Sequence, residues 1–468
     1  MNYKLFISFA AFTLLVFISV FSGPGCANII PPEGGLRDSL APVLTKSNPR
    51  DSTLNFEGNK VVLTFDEYVQ IDNFQQNVLV SPIGKSAPRY NLKLNTLTVR
   101  LSDSLEPNTT YSINFGNAIK DYNEGNIMRD YTYVFSTGPT IDNHTFSGNV
   151  VMAESGKTDT TLIVILHRNG TDSAVMKERP RYMAKLDGKG AFTFRNLPTG
   201  TFYVYAMKDD ARIFRYQGPK QIFAFADSPV VVQDITPSKT LYAYEGVKPS
   251  STSGAAGTAT QNAADKRIKF QTTINNNKHD LLKKFSFYFE KPLRKFDSTK
   301  IHFVTDTLYT PLTGYSWATD STKKIVTLNY TWQPNTLYHL ILERDFATDT
   351  LGQRIARNDT LSFITMKTEE YGQVEIRFRN LDLSKNPVIQ FVQSDAVVGS
   401  FPLTAATFSQ PLFLPGEYEL RLLNDINKNG FWDPGEFMGK HRQPEIAKPI
   451  NRKVNVKANW ENQFEIAL

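Results

Sequence analysis

One cysteine in 468 residues, Cys26, excludes any intramolecular disulfide, and with it the usual covalent mark of an oxidising compartment. Histidine is scarce too. His144, His167, His279, His302, His339 and His441 are scattered, with no HExxH and no pairwise metal spacing, so each is expected as a strand or surface residue. No G-x-S-x-G, Walker A or G-x-G-x-x-G sequence occurs, which removes the nucleophile-elbow and phosphate-loop classes. Paired carboxylates such as Asp66-Glu67 in "LTFDEYV" read as a solvated strand end rather than a glycosidase pair. No enzyme is expected; a hydrolase is the minor reading, since a sandwich can carry a site on any loop.

An excess of one charge is also missing. The 52 Lys and Arg are interleaved with 46 Asp and Glu. The densest basic spots, Lys266-Arg267-x-Lys269 and Lys283-Lys284, are short and read as solvated faces, so no nucleic-acid partner is expected. Long apolar runs are absent except at the N-terminus. There a short basic stretch (1–4) precedes the run "LFISFAAFTLLVFISVF" (5–21) and the small residues Ser22, Gly23 and Gly25. This is the layout of an export signal over 1–25. A spanning helix needs about 20 apolar residues, and this run is shorter and ends in Gly-Pro-Gly. The remainder is expected to be exported and soluble.

What is present is β structure. Hydrophobic residues make up 41% and aromatics 12%, enough for a folded chain of three or four domains. Residues 26–40 are rich in Pro and Gly without a period and read as a tether. Over 41–138, "NKVVLTFDEYV" alternates Val61, Leu63 and Phe65 inward, "NTLTVRLSD" sets Leu97, Val99 and Leu101 on one face, and "TTYSINFG" and "DYTYVFST" repeat the pattern. Short strands with turns and no helical period predict an antiparallel sandwich. A second β block covers 139–247, with "DGKGAF" (Asp187 to Phe192) expected as a tight hairpin turn. The small, polar stretch 248–266 is a predicted flexible linker.

Beyond the linker the first half recurs. "LEPNTTYSINF" is echoed by "WQPNTLYHLIL", and "LPTGTFYVYAMKDD" by "LPGEYELRLLNDIN". The predicted fold class is therefore all-β, tandem antiparallel sandwiches in an A-B-linker-A-B order, with a divergent second A at 267–367 and a second B at 368–468. Two repeats are too few for a stacked solenoid, so separate beads are expected.

The A units, with "PNTTYSINFGNAIKDYNEG" and "YTYVFSTG", resemble the SbsA-type bacterial Ig-like domain. That resemblance implies a seven-stranded sandwich, strand positions for Ile113, Phe115, Val134 and Phe135, and a turn from Asp121 to Gly125, with no catalysis. The B units, with "GAFTFRNLPTGTFYVYA" and the looser "ATFSQPLFLPGEYELRLL", look like the carboxypeptidase-regulatory-like or transthyretin-like sandwich. The arrangement, including "GCANIIPPEGGLRDSLAP", is similar to exported lipoproteins of Gram-negative bacteria. In a lipoprotein the cysteine after the apolar run is alkylated by diacylglycerol and becomes the mature N-terminus, which makes Cys26 the expected lipidation site and the outer membrane the expected location. Gly25 fits the usual Leu-x-Gly/Ala-Cys box, while Gly23 stands where Leu is usual.

"DINKNGFWDPGE" matches the EF-hand-type loop Asp-x-Asn-x-Asn-Gly-x₅-Glu. Calcium takes hard oxygen donors at alternate positions, so Asp425, Asn427, Asn429, Phe431 (through its carbonyl), Asp433 and Glu436 are candidate ligands, with Gly430 at the sharp turn. The other reading is a long hairpin loop in which Asn, Asp and Gly serve turn geometry. "KDDARIFRYQG" in the first B unit lacks the pattern. Asp-Ser/Thr-apolar tripeptides at Asp38, Asp103, Asp172 and Asp349 resemble a bacterial O-glycosylation motif and read otherwise as turns.

The expected role is a non-enzymatic, lipid-anchored envelope protein, structural or interactive. The alternative is a glycan- or protein-binding module using the aromatic set Phe202, Tyr203, Tyr205, Phe214 and Tyr216.

Overall fold

A computed structural model describes residues 3–21, 37–101, 104–246 and 267–468; Cys26, the tether up to residue 36 and the whole of the predicted linker lie outside these. The chain divides into two compact units, Met1–Ile141 and Asp142–Leu468.

In the first unit the apolar N-terminal run forms the helix Tyr3–Phe21. Among the described residues no helix is long and apolar enough to cross a membrane, which says nothing of strands. Residues 44–136 form sandwich I. One sheet runs Leu44–Asn48, Lys60–Phe65, Thr96–Arg100, Arg89–Lys93; the facing one runs Leu79–Ser81, Thr110–Asn114, Thr132–Ser136. A short ladder, Val69–Ile71 against Ile119–Asp121, closes one rim. The alternation read from the sequence points as expected: Val61, Leu63, Phe65, Leu97, Val99, Ile113 and Phe135 meet in the core. Phe115 joins them from just past its strand, while Val134 is only half-buried on the opposite face.

The second unit contains sandwiches II, III and IV, each with its own core. Sandwich III repeats sandwich I down to individual hydrogen bonds. Tyr111 Oη accepts from the Glu106 N–H at 2.9 Å, as Tyr338 Oη accepts from the Gln333 N–H at 3.2 Å. Thr137 Oγ1 accepts from the Thr109 N–H at 3.0 Å, as Thr365 Oγ1 does from the Thr336 N–H at 2.9 Å. The small rim ladder recurs as Leu293–Phe296 against Ala347–Asp349.

Sandwiches II and IV share a different plan. In each, the first strand pairs in parallel with the last: His144–Met152 with Lys239–Ala243, and Gly372–Arg379 with Glu461–Ala467. Strands Gly200–Lys208 and Gly416–Asn424, the two "Leu-Pro…Gly" strands, run through the middle of the opposite sheets. The "DGKGAF" turn forms, with the Asp187 carboxylate accepting from the N–H groups of Lys189 and Ala191 at 2.8 Å each. It is not a hairpin, however. The strand before it, Tyr182–Lys185, pairs with Leu162–His167, and the strand after it, Ala191–Leu197, pairs with His144–Met152 in the other sheet. Turn chemistry is local, whereas the sheet each strand joins is set by where its apolar face finds a partner.

Nor are II and IV separate beads. Ala447 N–H donates to the Ala153 carbonyl at 2.8 Å, and Gln443 Nε2 to the Phe225 carbonyl at 3.0 Å. Lys157 pairs with Asp395.

Candidate functional site

The connection between strands Gly416–Asn424 and Ile446–Val456 is a 21-residue arm, 425–445, and it holds every predicted calcium ligand. Asp425 ends its strand almost fully buried. Its carboxylate accepts from the N–H groups of Lys428 (2.7 Å), Asn429 (3.3 Å) and Gly430 (2.6 Å), so one side chain organises the turn. Gly430 sits there at φ 81°, a left-handed conformation that a side chain would disfavour. Asn427 Nδ2 and Asn429 Nδ2 both donate to Asp433 Oδ2 at 2.7 Å, while their amide oxygens accept from the N–H groups of Asn429 and Phe431. Asp425, Asn427, Asn429 and Asp433 thus share one small loop. The Phe431 side chain is exposed.

Glu436 does not join them. Its carboxylate pairs with Lys440 at 3.0 Å and Arg442 at 4.0 Å, and its backbone is bridged to Arg442. The residue that closes the loop is one the motif does not include. Glu445, buried, accepts from the Ile426 N–H at 2.7 Å and the Asp433 N–H at 3.0 Å, tying the two ends together. Burial, and after it the neighbouring Asp425 and Asp433 carboxylates, push the Glu445 carboxyl above its usual range. The first part of the loop therefore gathers four of the side chains the motif names, their oxygens already accepting N–H bonds, whereas the twelfth position is drawn elsewhere. Among the described residues no three His, Cys, Asp or Glu side chains converge as a metal cluster.

Sandwich II provides an internal comparison. Asp209, at the equivalent strand end, accepts from the N–H groups of Ile213 (2.9 Å) and Phe214 (2.7 Å) with none of the Asn or Glu partners. An aspartate here folds the turn whether or not the rest of the pattern follows.

The outer half of the arm inserts into sandwich II. Phe437 is buried against Tyr205 (ring centroids 5.5 Å), Phe223 (5.3 Å) and Phe225 (5.1 Å), with Tyr216 at 6.4 Å. His441 stacks on Phe437 at 5.0 Å. Asp172 of sandwich II grips the tip, accepting from the Gly439 N–H at 3.0 Å and pairing with His441 Nε2 at 2.6 Å. These bonds, the backbone one first, hold the Asp172 carboxyl below its usual range. A Cβ on Gly435 would lie 2.6 Å from the Tyr244 ring, so only glycine allows this approach.

This arrangement accounts for the aromatic set singled out in the sequence. Phe202 is in the core of sandwich II, Tyr205 and Tyr216 are covered by Phe437, and Tyr203 packs on Gly170. Only Tyr203 and Phe214 are partly accessible. Of the turn-like tripeptides, Asp172 serves the joint, Asp349 is buried in its own loop, Asp38 caps the Leu40 N–H, and Asp103 lies outside the described residues. The roles of Glu445 and Phe437 were not legible because the arm folds back on itself and then onto sandwich II, where Asp172 meets it from a distant part of the chain; the one local signal was the unusual length of the loop.

Residues 38–137 match the family model described as a bacterial Ig-like domain. No curated protein matches the chain. Among solved structures, the N-terminal part of the bacterial S-layer protein SbsC is 15% identical at a TM-score of 0.16, and the match covers 44% of each chain. The major pilin subunit BcpA of Bacillus cereus is 10% identical at a TM-score of 0.17, over 69% of this chain and 99% of that one. An L,D-transpeptidase from Mycobacterium smegmatis is 11% identical at 0.16, over 42% and 76%. Sandwich I is thus similar to bacterial Ig-like domains, and the chain as a whole is a tandem array of β-sandwiches.

Proposed function

We propose that the protein is a non-enzymatic structural module of the cell envelope, exported by residues 1–25 and anchored to the outer membrane by lipid on Cys26. The observation that carries the structural reading is Phe437: the aromatic surface of sandwich II that would suit a glycan is occupied by the chain's own arm. A buried aromatic plug suits a rigid spacer better than a recognition face. On this reading 26–40 is a tether, 248–266 a linker, and the modules 41–138, 139–247, 267–367 and 368–468 alternate Ig-like and transthyretin-like types. Calcium is part of the proposal as a staple of the arm, held by Asp425, Asn427, Asn429 and Asp433 once the two amides turn their oxygens inward.

Intact mass and membrane fractionation of wild type against Cys26→Ser test the anchor. Wild type is expected in the membrane fraction with a lipid mass increment, and Cys26→Ser in the soluble fraction. Soluble wild type cleaved without lipid would overturn the anchor. Glycan-array binding lost on changing Tyr203 would instead favour the recognition reading.

A further inference from the structure

The rim ladder of sandwich I ends in a feature that its own repeat lacks. Val69 pairs with Asp121, so the next cross-strand pair outward is Tyr68 with Tyr122, joined by the Tyr122 N–H to Tyr68 carbonyl bond at 2.9 Å. Both rings stand in solvent, 56% and 65% exposed. The fold does not require them. In sandwich III the same backbone bond joins Thr350 to Pro292 at 3.1 Å, so proline and threonine occupy the equivalent positions.

Charge reverses along with the rings. Around Tyr68 and Tyr122 lie Asp38, Asp66, Glu67 and Glu124, with Asp121 buried beneath them and already used by the N–H groups of Glu124, Gly125 and Asn126. After burial, the other four carboxylates raise the Glu67 carboxyl above its usual range. Among the described residues none of the five forms an ion pair. At the matching rim of sandwich III, Glu290-Lys291 replaces Asp66-Glu67, and Arg267, Lys269 and Lys291 line a small cleft with Glu290, Asp349 and Gln353. Asp349 is already used there by the N–H groups of Leu351 and Gln353.

We propose that the Tyr68–Tyr122 rim of sandwich I docks onto the Lys269–Lys291 rim of sandwich III in a second copy of this chain. The lysine ammonium groups meet the rim carboxylates, none of which has a cationic partner among the described residues, and their stems and charges lie against the tyrosine faces. The contact is heterologous, so each added copy leaves a free rim of either kind and the assembly extends or closes into a ring.

Light scattering on the full chain carrying Cys26→Ser tests this over a concentration series. The molar mass is expected to rise with concentration at low salt and to fall toward monomer in 1 M salt, where the screening length drops from about 10 Å to about 3 Å. Glu67→Lys and Lys291→Glu, both at exposed rims, each weaken self-association by about tenfold or more, and mixing the two variants restores it. A monomer at every concentration, or association indifferent to both substitutions, overturns the proposal. So does binding of a lysine-rich peptide to the rim without self-association, which would point to a foreign cationic partner.

Discussion

At the residue scale the same economy recurs: a single aspartate at a strand end folds the loop that follows. Asp121 accepts from the N–H groups of Glu124, Gly125 and Asn126, Asp349 from Leu351 and Gln353, Asp209 from Ile213 and Phe214, and Asp425 from Lys428, Asn429 and Gly430. These turns were readable because their chemistry spans a few residues. His167 was not, since nothing near it in sequence says that it is buried. It is 2% exposed, its Nε2 has no hydrogen-bond partner, and it lies 5.8 Å from the Tyr205 ring. Burial holds its pKa down at about 4. The unfolded chain, with an ordinary value of about 6.5, takes up the proton first, so this contribution is full above about pH 6.5 and is lost as pH falls toward 4. The full difference is about 3 kcal/mol. Denaturant melts of wild type and His167→Met between pH 7 and pH 4 should show the steeper loss in wild type; equal slopes would remove His167 from the account.

At the element scale, the arm 425–445 shows how a spacing motif can gather some of its residues and lose another. Spacing along the chain picked Asp425, Asn427, Asn429 and Asp433, which do share one loop, and Glu436, which turns to Lys440 and Arg442. In an EF-hand a helix follows and returns the twelfth residue to the ion; here a short bridge, Glu436 to Arg442, carries it outward, and Glu445 returns in its place. Removing Glu445 takes away its hydrogen bonds to the Ile426 and Asp433 N–H groups, each bond to a charged group being worth about 1–3 kcal/mol. Glu445→Ala should therefore lower stability by about 2–6 kcal/mol, and Glu436→Ala by less than about 1 kcal/mol, the usual range for an exposed pair. Melting with calcium and with chelator separates the staple from the ion. A rise in Tm with calcium that Asp425→Asn abolishes supports the cation, and identical curves would leave Glu445 as the closure on its own.

At the scale of the whole molecule, the repeat makes sandwiches II and IV alike, and the arm makes them partners. Phe437 crosses from IV into the aromatic pocket of II, next to the Asp172–His441 pair. Truncating a buried phenylalanine costs about 3–5 kcal/mol. Phe437→Ala is thus expected to split one calorimetric transition shared by II and IV into two; an unchanged transition would mean that the joint carries no coupling. The sequence by itself determined the all-β class, the inward faces of the strands and the internal duplication, because alternation, turn residues and repeated phrases act over a few neighbours. It also marked Asp425 as a loop former. Only the tertiary structure decided that "DGKGAF" crosses between sheets, that Glu445 replaces Glu436, and that the aromatic residues of sandwich II are covered from within. The first depends on which sheet buries an apolar face, the second on how a 21-residue loop folds back on itself, and the third on surfaces brought together across more than 200 residues; burial is a property of the packed chain rather than of any local stretch.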